Sequence, residues 1–212
     1  MVRIRLLLDG PGDPAPPSGR PQCNHVSTVG GGRCIHLMDE QGLHEALCSV
    51  GGGCVRRHHR VREWIADLVR QTWGGCVKTE APHPASEFGP AGVMDVKAST
   101  SHGHLDVDVV IPTIASTSQG EQRRRQHQPG RALRSATADK CKRYGPAVLA
   151  LAVDDTGCLA PQTVRLLHKV SQCIDPTSPE KAFLALRAEL QHIVLQSTAG
   201  MAQAARGVPR TA

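Results

Sequence analysis

The spacing of apolar and polar positions changes along the chain and predicts the order of its first elements. From Val61 the apolar residues recur at helical spacing as far as Thr72, and the glycines at 74–75 end that helix. Three short runs follow that predict β-strands, and they are separated by Pro, Gly, Ser and His. These runs are CVKTE (76–80), GVMDVKA (92–98) and LDVDVVI (105–111).

The second half of the chain predicts a helix, a buried strand and two further helices. A helix extends to about Tyr144, PAVLALAV (146–153) is apolar as in a fully buried strand, and the DDTG after it indicates a turn. One later helix begins at Pro161, and another at Ser178 with Pro and Glu in its first turn. The inward stripe of the last helix is Phe183, Leu186, Leu190, Ile193 and Ser197. This order predicts an α/β fold with a small mixed sheet flanked by helices.

Composition divides the chain into four segments. Residues 1–22 are dense in Pro and Gly and predict a flexible lead-in. Residues 23–54 are rich in Cys, His and Gly, and such a short stretch needs a metal or a neighbouring domain to fold. The α/β elements form a core over 55–175, and residues 176–212 form a C-terminal helix and tail.

Length and charge narrow the class of protein. With 212 residues the chain has room for one ordinary domain and an accessory module, and is too short for a polymerase with all its subdomains. Aromatic residues make up 2% of the chain, which argues against stacking platforms for single-stranded RNA. The net charge of +6 and the arginine clusters at 56–57 and 123–125 indicate a polyanionic partner such as nucleic acid. A basic surface without such a partner is the plain alternative.

The distribution of apolar residues predicts an intracellular protein. No apolar run is long enough to span a bilayer, and the opening MVRIRLLLDGPGDP has too short an apolar stretch for a signal peptide. The eight cysteines are therefore expected to stay reduced and to serve as metal ligands or core residues. Neither a membrane nor a small-molecule substrate is expected as a partner.

Carboxylates lie inside the predicted strands. HGHLDVDVVIPT (102–113) carries Asp106 and Asp108, which strand periodicity places on one face of the sheet. If the three strands are neighbours, Glu80, Asp95 and Asp106 converge at one edge. Three ionised carboxylates at one place require a cation such as Mg²⁺ or Mn²⁺, which can activate water and stabilise charge on a phosphate oxygen. As ordinary solvated residues at strand ends they require none.

The Cys/His-rich segment and the residues after it offer two further candidate sites. His25, His36 and Cys54 are competing ligands, because the first half of the segment has no regular C-x-x-C, and unpaired thiols in a loop are the alternative. Residues with the chemistry of a Cys3His zinc site are Cys23, Cys34, His44 and Cys48. The basic start of the first helix, VRRHHRVREWI (55–65), can clamp a phosphate or form a solvated helix end. Its candidate DNA contacts are Arg56, Arg57, His58 and Arg60.

Taken in order, these motifs resemble a known family. CNH, GRC, GLHEALCSVGGG, VRRHHRVREWI, KTE, VMDV, LDVDVVIP, DKCKRY and VLALAVDDTG are similar to the C-terminal end of the reverse-transcriptase polyproteins of non-LTR retrotransposons. There a zinc knuckle precedes a restriction-like endonuclease of the PD-(D/E)XK superfamily. The resemblance runs from about Cys23 to about Val170. It implies a restriction-endonuclease-like core that nicks target DNA in the nucleus, so that the freed 3′-hydroxyl primes reverse transcription.

The resemblance also implies roles for individual residues. The four Cys/His residues above would form the knuckle, and Arg57 and His58 match the family's Arg-His pair. Asp95 and Asp106 would bind Mg²⁺ or Mn²⁺. The full catalytic set would be Glu80, Asp95, Asp106 and Lys140.

This chain departs from the family pattern in three ways. Asp108 stands where the superfamily's simplest motif has a lysine, so the lysine role passes to Lys140, with Lys97 or Lys142 as substitutes. Met94 replaces the proline before the first aspartate. The polymerase half is absent, as expected of a truncated copy, active or inactive, and element RNA would be a partner only in a longer parent protein. The alternative function is a non-catalytic, zinc-stabilised DNA-binding module or remnant.

Overall fold

The computed structural model describes residues 21–27, 31–38, 44, 48–113 and 130–207. The predicted lead-in up to residue 20 and the arginine cluster at 123–125 lie outside these ranges. The helices of the described part are α1 (Gly53–Trp73), α2 (Arg131–Tyr144), α3 (Pro161–Ile174) and α4 (Pro179–Ala205). Its strands are β1 (Cys76–His83), β2 (Gly92–Thr100), β3 (Gly103–Val110) and β4 (Leu149–Ala152). The predicted order of elements is confirmed.

The strands form one mixed sheet in the order β1-β2-β3-β4. β1 pairs with β2 and β2 with β3 in antiparallel fashion, as expected for strands joined by short connections. β3 and β4 are parallel, and α2 lies between them in the chain, which is how parallel neighbours are usually connected. The prediction of a small mixed sheet is therefore confirmed.

The main core lies between one face of the sheet and helices α1, α3 and α4. On α1, Val61, Ile65 and Val69 are fully buried, which confirms the helical stripe. The core also contains apolar side chains from the sheet and from the other two helices: Val96, Val107, Val109, Leu151, Leu166, Leu167, Val170, Phe183, Leu186, Leu190 and Val194. On the opposite side of the sheet, Leu133 of α2 packs with Ala152 of β4. The sheet is thus covered by helices on both faces, as in other α/β proteins.

Two helices extend beyond their predicted apolar stripes. α1 begins at Gly53, well before Val61, because basic side chains are good helix formers and the apolar stripe marks only the packed part of a helix. On α4 the predicted inward residue Ile193 is partly buried and packs against the core, Ser197 is partly buried, and Val194 is fully buried beside them. No described helix is both long and apolar enough to cross a membrane.

α4 joins the Cys/His-rich segment to the rest of the protein. Its first half contributes to the main core, so the helix predicted to lie C-terminal to the domain packs inside it. At its other end Ala205 is buried with Cys23, Cys34 and Cys48, and its carbonyl accepts a hydrogen bond of 2.8 Å from the N–H of Asn24. The Cys/His-rich segment therefore packs against a neighbouring helix, and its small core is shared.

Candidate metal centre and carboxylate pair

Short backbone pairings bring the four predicted zinc ligands together. The isolated bridges Gln22–Leu37 and Val26–Arg33 place two arms of the segment side by side. Across them the N–H of Cys34 donates to the carbonyl of His25 at 2.8 Å. The ligand atoms that lie within 4.8 Å of one another belong to Cys23, Cys34, His44 and Cys48.

The distances in this cluster fit a tetrahedral metal site. Sγ of Cys23 lies 3.8 Å from Sγ of Cys48, and Sγ of Cys34 lies 3.3 Å from Nε2 of His44. Zinc–sulfur bonds of about 2.3 Å at tetrahedral angles separate two thiolates by about 3.8 Å. The three cysteines are buried, and none of the eight cysteines is in a disulfide. The cluster could therefore hold a metal such as zinc.

Two thiols of the cluster, those of Cys23 and Cys48, have raised pKa values. Burial raises the pKa of Cys48 to about 12, and the neighbouring thiols add to the effect. Burial raises the pKa of Cys23 as well. Because a metal binds the thiolate form, loading the site releases these protons. Of the competing ligands, His25 is buried separately, which lowers its pKa, and Cys54 lies in α1 outside the four-residue cluster.

A second polar cluster lies where β2 and β3 separate. The last backbone pair of their ladder at this end is Val96–Val107. Beyond it, the N–H of Val109 donates to the Asp95 carboxylate at 2.7 Å instead of to the β2 backbone. Asp95 also contacts the carboxyl group of Asp108, which is 3% exposed. Strand separation thus brings two acidic side chains into direct contact.

Basic side chains from two helices flank this carboxylate pair. Nε2 of His58, on α1, lies 3.1 Å from Asp95 Oδ2 and 3.1 Å from the Val109 carbonyl oxygen. Nζ of Lys140, on α2, forms an ion pair with Asp108 Oδ2 at 2.5 Å. The two helices cover opposite faces of the sheet, so a basic side chain bounds the pair on each side.

The surroundings of the pair favour different protonation states for its two members. Burial alone would raise the pKa of Asp95, but hydrogen bonds from His58 and the Val109 N–H lower it below its usual value. For Asp108 burial prevails and raises the pKa, with Asp95 adding to the effect and Lys140 opposing it. The hydrogen bond to Asp95 raises the pKa of His58. Asp95 is therefore the ionised member, and Asp108 is the member more easily protonated.

Of the predicted catalytic residues, the structure brings Asp95 and Lys140 to this cluster, and Asp108 occupies the position that was assigned to Asp106. Asp106 is paired in the ladder with Lys97, whose Nζ lies 3.8 Å from its carboxylate, and His83 Nδ1 lies 3.9 Å away. The register between β2 and β3 explains why Asp108 and not Asp106 lies beside Asp95. One residue beyond the last ladder pair, Val96–Val107, the same register places Asp95 opposite Asp108.

Glu80 is held by a different partner. It lies between the ladder pairs Thr79–Val96 and Ala81–Met94, and so at the level of Asp95, but its φ of 50° is unusual for a residue other than glycine. Its carboxylate forms an ion pair with Arg62 of α1, and its side chain is 60% exposed. The described contacts of Glu80 thus connect β1 to α1 and leave it outside the carboxylate pair.

The predicted DNA-contacting residues divide between two places. His58 faces Asp95, a contact that only the tertiary structure reveals. Arg56, Arg57 and Arg60 line a groove of about 480 Å³ between the start of α1 and the end of α4. The guanidinium of Arg57 is buried, donates to Thr198 Oγ1 at 2.8 Å, and has an Nε without a hydrogen-bond partner in the described part of the chain.

Two sets of known proteins were compared with the chain. No protein-family model matches it, and no curated protein matches it. Its class therefore follows from its own geometry: a mixed α/β protein with a four-stranded mixed sheet and a Cys3His cluster that could hold a metal such as zinc.

Proposed function

We propose that the chain is a metal-dependent DNA endonuclease domain of restriction-like fold, derived from a retroelement, which nicks target DNA for target-primed reverse transcription in the nucleus. The observation that carries the proposal is the contact between Asp95 and Asp108 at the point where two strands separate, with Lys140 beside it. Buried carboxylates beside a lysine are suited to phosphodiester hydrolysis with a divalent ion. The order of sequence motifs described above supports the same reaction.

The donor set at the carboxylate pair suits Mg²⁺ or Mn²⁺. Mg²⁺ is usually held by one or two carboxylates, together with waters and phosphate oxygens of the substrate. Among the described residues only the Cys/His cluster brings three or more Cys, His, Asp or Glu ligands together, so Asp95 and Asp108 would supply the two protein carboxylates. When bound, the ion would activate water and stabilise charge on the phosphate oxygens.

The groups around the pair have separate tasks in this proposal. His58 holds the Asp95 carboxylate and the Val109 carbonyl in a fixed relative position. Lys140 keeps a positive charge next to Asp108, where it can also attract a phosphate oxygen. Its Nζ lies 5.8 Å from the centre of the Tyr144 ring, which helps to keep the side chain over the site.

The arginine groove is the proposed DNA contact. A guanidinium offers five N–H donors in a planar arrangement that matches phosphate oxygens, and the exposed side chains of Arg56 and Arg60 present theirs in the groove. Arg56 donates to the carbonyl of Gly51 at 2.7 Å, and Gly51 belongs to the Cys/His-rich segment. The zinc module would therefore help to position the groove on the DNA backbone. Contacts to the backbone fix the position of a protein along the duplex but do not select a base sequence.

Nicking of supercoiled plasmid by the purified chain, with and without Mn²⁺, tests the proposal. We expect metal-dependent nicking that Asp108→Asn reduces at least about a hundredfold, as is common when a group central to catalysis is removed. Asp67→Asn, which removes an exposed carboxylate from α1, is the matched control and should leave nicking unchanged. Asp106→Asn, compared with Asp108→Asn, shows which of the two aspartates of β3 is required for nicking. Nicking lost in Asp106→Asn but retained in Asp108→Asn would contradict the assignment of the pair.

A non-catalytic, zinc-stabilised DNA-binding module is the second candidate. The observation in its favour is that each carboxylate already has a basic partner, His58 beside Asp95 and Lys140 beside Asp108, without a divalent ion. Such a module would bind DNA with a steep dependence on salt and would not cut it in Mn²⁺. Binding that is equal in the wild type and Asp108→Asn, with no nicking in either, selects this candidate.

A further inference from the structure

A cavity of about 330 Å³ opens at the other end of the sheet, where β2 turns into β3. Its walls come from this hairpin, from the loop before β4 and from α3. Gly103 in its lining is five residues from Asp108 along β3, a distance of roughly 16 Å in an extended strand. The cavity is therefore separate from the carboxylate pair, and its volume lies in the usual range of about 300–1,000 Å³ for small-molecule sites.

Four basic side chains line the cavity, together with the neutral polar side chains of Thr100 and Gln162. Arg165 and Lys169 lie one turn apart on α3, and His102 and His104 lie on the hairpin. None of the described residues that line the cavity is Asp or Glu. Both α3 cations are exposed, and within the described residues neither has an acidic partner. Cations without counter-charges around a concave space favour an anionic ligand.

Trp73 lines the cavity and carries a hydrogen-bond donor that has no described partner. Its indole Nε1 is buried and has no hydrogen-bond partner among the described residues, a state that carries a free-energy cost until an acceptor is supplied. The Trp73 ring lies 5.4 Å from that of His102, and the Ser101 hydroxyl donates to the Trp73 carbonyl. Leu105 and Leu166 complete an apolar part of the lining. The cavity thus combines donors with a flat aromatic surface.

We propose that this cavity binds the phosphate monoester of a nucleotide unit. The two α3 cations and the imidazoles suit a phosphate dianion, and the Trp73–His102 surface with its apolar surroundings suits a sugar or base. A terminal 5′-phosphate of a DNA strand and a free mononucleotide share this chemistry. The proposal does not depend on the carboxylate pair, and its test needs no cleavage of DNA.

The fluorescence of Trp73 can report binding directly. The chain has two tryptophans, so Trp64→Phe leaves Trp73 as the only one. The probes are a short oligothymidylate with a 5′-phosphate, the same oligomer with a 5′-hydroxyl, and thymidine 5′-monophosphate, each in zinc-containing buffer without Mg²⁺. Anisotropy of 3′-labelled oligomers, with Trp64 retained, gives a second measurement that does not require the substituted tryptophan.

We expect saturable binding of the 5′-phosphorylated oligomer and binding at least about tenfold weaker when the phosphate is absent. Arg165→Ala with Lys169→Ala should weaken binding of the phosphorylated oligomer by about tenfold or more. Lys181→Ala with Arg187→Ala, on exposed positions of α4, removes the same charge elsewhere and should leave affinity within about twofold.

The three probes distinguish the 5′-phosphate of a DNA strand from that of a free mononucleotide as the bound group. Equal affinity for thymidine 5′-monophosphate and the phosphorylated oligomer identifies a free nucleotide as sufficient, and preference for the oligomer identifies a strand end. Either result supports the proposal. Equal loss of affinity in the two double variants, equal binding of the 5′-hydroxyl oligomer, or no saturable binding of any probe would overturn it.

Discussion

Asp95 and Asp108 are in contact, but their neighbours give them different electrostatic roles. Asp95 accepts hydrogen bonds from His58 and from a backbone N–H, and these stabilise its ionised form. Asp108 is more deeply buried and relies on Lys140 for compensation. In such a pair, a bound metal ion can replace His58 and Lys140 as the partners of the two carboxylates.

The first prediction concerns the proton on His58. Its hydrogen bond to Asp95 raises the pKa above the ordinary 6.5, so the stabilisation is fully present below pH 6.5 and is lost as pH rises through the raised value. Asp95→Asn should therefore lower the pKa of His58, measured from the ring proton shift by NMR and assigned with His58→Gln. Asp67→Asn, on the same helix, should leave it unchanged.

Titration with Mg²⁺ extends this measurement to the proposed metal site. A divalent ion at Asp95 would disfavour the imidazolium charge, and the pKa of His58 should fall. A pKa that does not respond to Mg²⁺ at any concentration would argue against Asp95 as a ligand. The same titration in Asp95→Asn shows whether the response requires that carboxylate.

The second prediction concerns the zinc ligands. Cys48→Ser should abolish stoichiometric zinc binding, because Cys48 is one of four donors whose ligand atoms lie within 4.8 Å of one another. Cys54→Ser is the matched control and should retain the metal, since Cys54 lies outside the cluster. Zinc per chain, measured by elemental analysis after dialysis, checks both. Full retention of zinc in Cys48→Ser would refute the assignment.

At the scale of elements, the junction between α1 and β1 depends on two glycines. Gly74 and Gly75 both have positive φ, 64° and 83°, which allows the chain to leave the helix and enter the sheet within two residues. They differ in their surroundings: a Cβ on Gly74 would meet nothing within 4 Å, whereas one on Gly75 would lie 2.2 Å from the Ser99 carbonyl oxygen of β2.

The third prediction uses this difference. Gly74→Ala should destabilise the fold by about 1–3 kcal/mol through backbone strain alone. Gly75→Ala should lower the free energy of unfolding further. In addition to the same backbone strain, its Cβ would clash with the β2 backbone at Ser99, which cannot move without disturbing the β1–β2 ladder. Urea unfolding followed by circular dichroism gives both free energies. Equal destabilisation by the two substitutions would mean that the β2 backbone at Ser99 moves away from the added Cβ without a cost in free energy.

At the scale of the whole molecule, α4 connects the main core to the Cys/His cluster. Leu190 and Val194 are fully buried with side chains from α1 and the sheet, and Ala205 is buried with the cluster cysteines. Groove residues Arg57 and Arg60 also contact this helix, through Thr198 and Ser197. The candidate metal centre and the proposed DNA groove therefore share one supporting element.

The fourth prediction tests the contribution of α4 to the core. Leu190→Ala should cost about 2–5 kcal/mol, as expected for a fully buried leucine, and Leu184→Ala, which is 52% exposed on the same helix, should cost less than about 1 kcal/mol. Chemical denaturation of both variants gives the comparison. Similar small costs of the two substitutions would show that α4 contributes little to the stability of the core.

The type and order of the elements could be predicted because the information is local. Helical spacing in α1 and alternation in β3 reflect the 3.6- and 2-residue periods of each element and require no knowledge of the partner. The turn at DDTG belongs to the same class: Asp154 accepts hydrogen bonds from the N–H groups of Thr156 and Cys158. The four cluster ligands could be named because few residue types bind zinc.

The composition of the carboxylate pair was decided only by the tertiary structure. Periodicity placed Asp106 and Asp108 on one face equally well, and the choice between them depends on the register of β3 against β2, which long-range pairing sets. His58 reaches Asp95 across 37 positions of sequence, and Glu80 is held by Arg62 of α1. Local patterns thus determined the elements and the zinc donors, whereas strand register and helix packing determined which charged side chains meet.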